Sequence, residues 1–223
     1  MFMEVDARKI IFTFITVIFI LAIINLTFAK TAGVWNIIPS PNVGNRHNQL
    51  FGVDAVSPYD AWAVGYSGVP NGPPYATQSL ILKLNGHSWN VVGNPTFNNN
   101  DVKLNDVFVL SSKDAIAVGR RGNVCCLSYN TLIERWNGTS WSVIPSPDAD
   151  PGNYNELKGV DGASANNIWA VGHSMGTSGL QQNMILHWNG NSWTVAPSPN
   201  FGSIPNRLHG VSASSENNVW AVD

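Results

Sequence analysis

Among the side chains able to do chemistry, four arginines come first: Arg46, Arg120, Arg121 and Arg207. A guanidinium fork matches a carboxylate, so a converging set would clamp an acidic sugar or peptide. With a carboxylate-partnered tyrosine and a separate acid, such a set would hydrolyse carboxylate-bearing glycans. Glycosidases hold their two carboxyl groups about 5 to 9.5 Å apart, which spacing along the chain does not reveal. Asp101, Asp148, Asp150, Tyr66, Tyr75, Tyr154 and His173 could join the arginines, yet no spacing among them forms a catalytic constellation. Solvated loop arginines are the simpler reading. Asp148-Ala149-Asp150-Pro151-Gly152-Asn153 has the flavour of a calcium turn but lacks the later Glu of a calcium loop, so an Asp-rich turn is expected. Cys125 and Cys126 are adjacent; they close no loop and fall short of a zinc site. No catalytic residue, metal or cofactor is therefore expected. The ligand-binding candidates are Tyr66, Tyr75, Arg120, Arg121, Asp148, Asp150, Tyr154, His173 and Arg207.

Side chains this dispersed need a scaffold, and the scaffold is repetitive. A 16-residue segment occurs four times without gaps, as LFGVDAVSPYDAWAVG from Leu50, LNDVFVLSSKDAIAVG from Leu104, LKGVDGASANNIWAVG from Leu157 and LHGVSASSENNVWAVD from Leu208. A second segment interleaves with it, as LILKLNGHSWNVVGNP from Leu80, LIERWNGTSWSVIPSP from Leu132 and MILHWNGNSWTVAPSP from Met184. Trp35, Trp89, Trp141 and Trp193 lie 54, 52 and 52 residues apart, so the period runs through residues 34–223. Each period reads as four short strands, A to D, in two hairpins, with Asn-Gly supplying the tight C–D turn. Four antiparallel strands every ~50 residues predict an all-β fold of β-propeller blades: three complete, in 50–95, 104–147 and 157–199, and one either split between 34–41 and 208–223 or incomplete. The Trp residues recurring at fixed registers are expected to fill the space between blades. Lys83, Arg135 and His187 share one register of strand C and are expected at a polar edge, a ring of positive charge being the alternative.

LKGVDGASANNIWAVG and ILHWNGNSW resemble repeats of the BNR/Asp-box superfamily, which includes sialidase-type and photosystem II assembly-factor-type propellers. In those relatives Asp-Gly-Gly precedes a Thr-Trp pair; here Asn-Gly-x-Ser-Trp stands at Asn85, Asn137 and Asn189, one residue shorter. The form with Pro-Ser-Pro is also similar to secreted bacterial repeat proteins of unknown function. The resemblance implies a propeller fold and no particular reaction.

Composition narrows the partners. Charged residues make up 12% of the chain and the net charge is -2, which leaves no basic footprint for nucleic acid. Arg8 and Lys9 precede an apolar run from Ile10 to Ile24 that ends in Thr27-Phe28-Ala29. Residues 1–29 thus read as a signal peptide, an uncleaved anchor being the alternative and the only route to a membrane. The rest is expected to be secreted or displayed on the cell surface.

Antiparallel order sets the A–B and C–D turns on one face and the B–C loops, 66–79, 120–131 and 173–183, on the other with the D–A connectors. The irregular loops make the second face the place for a site. The leading expectation is a binding or scaffold module contacting a protein or glycan through that face. The alternatives are a sialidase-like hydrolase and a structural cell-envelope protein. A repeat count that starts with a lone D strand and stops after strands A and B predicts a fragment of a longer propeller, or open blade edges that self-associate.

Overall fold

The computed structural model describes residues 37–223 apart from 74, 98–99, 124–127, 177–178 and 201–203. The expected signal peptide, Trp35, Cys125, Cys126 and Phe201 lie outside the described residues.

The described chain is all-β. Its first repeat is a four-stranded antiparallel sheet of β1 (Asn48–Ser57), β2 (Asp60–Gly68), β3 (Thr77–Asn85) and β4 (Ser88–Val91), in that order. The second holds β5 (Asn100–Ser111), β6 (Asp114–Asn123), β7 (Tyr129–Trp136) and β8 (Trp141–Val143). The third holds β9 (Tyr154–Ser164), β10 (Asn167–Met175), β11 (Gln181–Trp188) and β12 (Trp193–Ala196). A single parallel bridge between Tyr129 and Tyr154 joins the second and third repeats at one end. The hairpin β13 (Gly210–Ser215) and β14 (Asn218–Val222) follows as a separate sheet.

The central strands show why the repeats form. β2, β3, β6 and β7 each carry an unbroken run of at least four buried residues, so strict alternation is lost: a repeat covers each face of β6 and β7, while β2 and β3 have the second repeat on one face and Val43 and Trp89 on the other. Every AVG glycine is needed for close approach. A Cβ on Gly65, Gly119 or Gly172 would sit 1.8, 1.9 or 2.0 Å from the carbonyl oxygen of Gln49, Lys103 or Glu156, where the first strand shifts register against the second. In the C–D turns Gly86, Gly138 and Gly190 take the positive φ angles. The Asn137 and Asn189 side chains each accept two backbone N–H bonds beside them.

The core lies between repeats. Trp62 of the first packs on Trp136 and Trp141 of the second, with ring centroids 5.0 and 5.1 Å apart. Ile116, at the same register as Trp62, joins Leu157, Met184, Trp188 and Trp193 in the next interface. Trp220 departs from the expected packing role: it is 72% exposed, because no described repeat follows it. Leu50, Phe51, Val53 and Val56 are exposed on the first repeat.

Among the described residues no strand pairing joins β13 and β14 to the first repeat. The expected strand at 34–41 is not formed in its described part, 37–41. Lys83, Arg135 and His187 are neither an exposed edge nor a ring of free charge. Lys83 pairs with Asp60 at 3.5 Å and Arg135 with Asp114 at 2.7 Å, while His187 meets Asn167 at 3.0 Å. Each also lies over tryptophan: Lys83 on Trp62 and Trp136, Arg135 on Trp188, His187 on Trp169. They close the second strand onto the third within a repeat.

Candidate functional site

The expected loop face is built from strands. Tyr66, Arg120, Arg121, His173 and Met175 lie on the second strands of their repeats, and Asp101 and Tyr154 on the first strands. The first two strands continue past the glycine as long hairpins, which the sequence reading ended too early.

One rung organises these residues. Tyr66, Arg120 and His173 each follow the segment's closing glycine, and they pair across the hairpin with Gln49, Lys103 and Glu156, which each precede its opening leucine. Sequence reasoning missed Lys103 and Glu156; comparing the positions that flank the repeated segment would have found them.

Around Arg120 the rung becomes a network. Its Nη2 lies 2.9 Å from Asp101 Oδ2 and its Nε 3.3 Å from Glu156 Oε1. Its guanidinium stacks over Tyr129 at 3.9 Å and reaches Tyr154 at 5.7 Å. Asp101 accepts from the Thr77 hydroxyl at 2.7 Å and the Tyr129 hydroxyl at 3.1 Å. Glu156 accepts from Tyr154 at 2.5 Å and Asn105 at 3.0 Å, and pairs with Lys158 at 2.9 Å. Burial opposes ionisation of Glu156, but the Tyr154 hydroxyl, Lys158 and Asn105 outweigh it and bring its pKa down to about 2. Burial, then the adjacent Glu156 charge, holds the Tyr154 phenol well above its ordinary value. His173 stacks on Tyr154 with centroids 5.5 Å apart, and burial lowers its pKa to about 4.

Beside the network, a cleft of about 240 Å³ opens between the first two repeats, lined by Arg46, Tyr66, Tyr75, Thr77, Asp101, Lys103 and Arg120. Arg46 spans its rim by donating to the Pro73 and Gly72 carbonyls at 3.2 and 3.1 Å. The Lys103 ammonium lies 5.0 Å from the Phe51 ring centre and 5.1 Å from that of Tyr66. Burial, then the nearby Arg120 charge, lowers the Lys103 pKa.

The other candidates stand apart from this cleft. Arg121 lies over Phe97 at 5.4 Å and lines a separate cleft with Asp148. Asp148 accepts from the Thr131 N–H at 2.7 Å, and Asp150 from the Asn153 amide at 3.0 Å, so both tie down turns. Arg207 bonds Gln181. The four arginines therefore form no common clamp. Among the described residues no group of three or more His, Cys, Asp or Glu is placed to hold a metal.

No family model matches this chain, and no curated protein matches it. Among solved structures the chain is similar to one titled YCF48 bound to D1 peptide, at 9% identity over 83% of this chain and 96% of that one, with a TM-score of 0.21. A likeness at that level identifies neither a ligand nor an activity for this chain.

Proposed function

We propose that this chain is a non-catalytic binding or scaffold module of β-propeller type, its repeats acting as blades, which works outside the cytoplasm and contacts a protein or glycan through the end bearing the B–C and D–A connections. One observation carries the reading. The opening leucine and the closing Ala-Val-Gly of the repeated segment recur in the three four-stranded repeats, whereas the rung that flanks them holds Gln49 with Tyr66, Lys103 with Arg120 and Glu156 with His173. Scaffolding needs sameness; a rung that differs in each repeat beside an open cleft serves recognition. The extracytoplasmic setting rests on the Arg8 to Ala29 pattern.

A hydrolase has one observation in its favour, the Tyr154–Glu156 pair beside Arg120. Its chemistry fits poorly. A phenol held protonated is a weak nucleophile, and a carboxylate with a pKa of about 2 is a weak base near neutrality. Glycan and peptide arrays probed with the purified protein, run beside a glycoside hydrolysis screen, decide the matter. Binding without turnover is expected, weakened by Tyr66→Ala or Tyr75→Ala and unchanged by Thr139→Ala or Asn191→Ala at the opposite end. Turnover abolished by changing Arg120 or Arg121 would instead establish the hydrolase, and silence in both assays would leave a structural role.

A further inference from the structure

We propose that the cleft between the first two repeats binds a peptide carboxylate, with Lys103 as the recognising cation and Phe51 and Tyr66 as the apolar wall beside it. This rests on the binding-module reading and adds the ligand's chemistry. Three observations carry it.

Charge comes first. Arg120 is already matched by Asp101 and Glu156, and Lys158 by Glu156, whereas Lys103 pairs with no described carboxylate and Arg46 bonds only neutral carbonyls. The cleft thus keeps uncompensated positive charge, held on a partly buried lysine. Burial and the repulsion of Arg120 and Lys158 outweigh the attraction of Glu156 and Asp101 and lower the Lys103 pKa, a cost that an incoming anion would relieve.

Shape comes second. Tyr66 lines the cleft and stacks on Phe51 with centroids 5.9 Å apart, the ammonium about 5 Å from both rings; Phe51 is half exposed and lines the neighbouring groove with Leu50 and Val53, so an aliphatic chain leaving the cleft has a surface to lie on next to the charge. The third concerns hydroxyl groups. A sugar needs several free acceptors and donors, but Asp101 is taken by Thr77 and Tyr129, Tyr66 by Gln49, and Arg46 by the Pro73 and Gly72 carbonyls. Besides the Tyr75 hydroxyl and His47, what the cleft offers is a lysine ammonium beside an apolar wall, which suits a peptide terminus or an acidic side chain.

The test is an NMR titration of the full chain labelled at lysine. The probes are N-acetyl-Gly-Leu-Ala with a free carboxyl terminus, the same peptide amidated, N-acetyl-Gly-Leu-Glu amide, and trigalacturonate. The expected result is saturable binding of the free terminus, the glutamate peptide or both, no binding of the neutral amide, and a rise in the Lys103 pKa on binding. The two acidic peptides separate a terminal from a side-chain carboxylate. Lys103→Met, which keeps the aliphatic stem, should weaken binding about tenfold or more, the scale of one charge-assisted hydrogen bond, while Lys103→Arg keeps most of it. Arg121→Gln, in the separate cleft, should change nothing. Equal binding of the neutral amide, wild-type affinity in Lys103→Met, no binding of either acidic peptide, or trigalacturonate binding through Lys103 without peptide binding would each overturn the proposal. Array ligands that still bind Lys103→Met would remove this site and leave the module reading; arrays on which nothing binds remove the module itself.

Discussion

Glu134 shows how one residue can depart from its register. In the other repeats the position holds Leu82 and Leu186, both fully buried, and Glu134 is fully buried too. Only the Ser79 hydroxyl, 3.3 Å from Oε1, serves it among the described residues, and Oε2 has no hydrogen-bond partner. Burial pushes its pKa from 4.5 up to about 8. The folded protein keeps the proton where the unfolded chain has lost it, so the Glu134 contribution to stability falls as pH rises from 4.5 to about 8 and then levels. Glu134→Leu should gain about 3 kcal/mol at pH 7, from ~1.4 kcal/mol for each pH unit above the unfolded value. The gain at pH 4 should be much smaller. Urea denaturation at both pH values reads the difference; equal gains would show that ionisation is not the cause. The repeat alignment displays this residue as an oddity, but only burial on both faces of β7 turns it into a titrating group.

At the scale of elements, three aspartates fasten each first strand to the next repeat. Asp54 Oδ2 accepts from the Val109 N–H at 2.7 Å, Asp106 Oδ2 from Val160 at 3.0 Å, and Asp161 Oδ2 from Ala213 at 2.8 Å. Asp54 and Asp161 share a register, whereas Asp106 stands two residues earlier and reaches a donor two residues earlier. A two-residue shift keeps a side chain on the same face of a strand, so the fastening survives it. Alignment alone hides the equivalence, because Asp106 falls opposite Gly52 and Gly159 while Phe108 takes the aspartate's place. Asp161→Ala should cost about 1.5 to 3 kcal/mol, the usual worth of a hydrogen bond to a charged group. The loss should appear locally, as faster amide exchange at Ala213 and across β13 and β14. Unchanged protection there would rule out the fastening.

Two predictions concern the whole molecule. Stability should form a plateau between about pH 4.5 and 6.5, declining on either side. Above the plateau Glu134 is responsible. Within it, the rise as Glu134's penalty fades toward acid is offset by His173, whose pKa falls from 6.5 to about 4 and which resists the proton that the unfolded chain accepts. Below it, His173 and then Glu156, with its pKa of about 2, both lose stability as pH drops. Thermal melts across the range check the shape. The second prediction concerns association: Val53, Phe51 and Leu50 are exposed on the first repeat, and Trp220 and Val222 on the last hairpin. Exposed strand faces of this kind promote contact between copies, so sedimentation should show concentration-dependent association that Trp220→Ser reduces. A monomer at every concentration would refute it.

The all-β class, the four-strand repeats and the Asn-Gly turns were determined by sequence alone, because short apolar runs and turn chemistry are local and recur every ~50 residues. The inter-repeat packing of Trp62, Trp136 and Trp141 was legible for the same reason: large apolar side chains return at these registers, with Ile116 in place of the first and Leu84 in place of the second. Tertiary structure decided what the repetition does not carry. It extended the first hairpins past the glycine, so that Tyr66, Arg120 and His173 stand on strands in one rung. It gathered Arg120, Asp101 and Glu156 from three strands, left Arg121, Asp148 and Arg207 outside that network, and set Lys103 in the cleft with no carboxylate partner among the described residues. Such groupings depend on which side chains of neighbouring repeats meet across an interface, and no local signal in a chain records that distance.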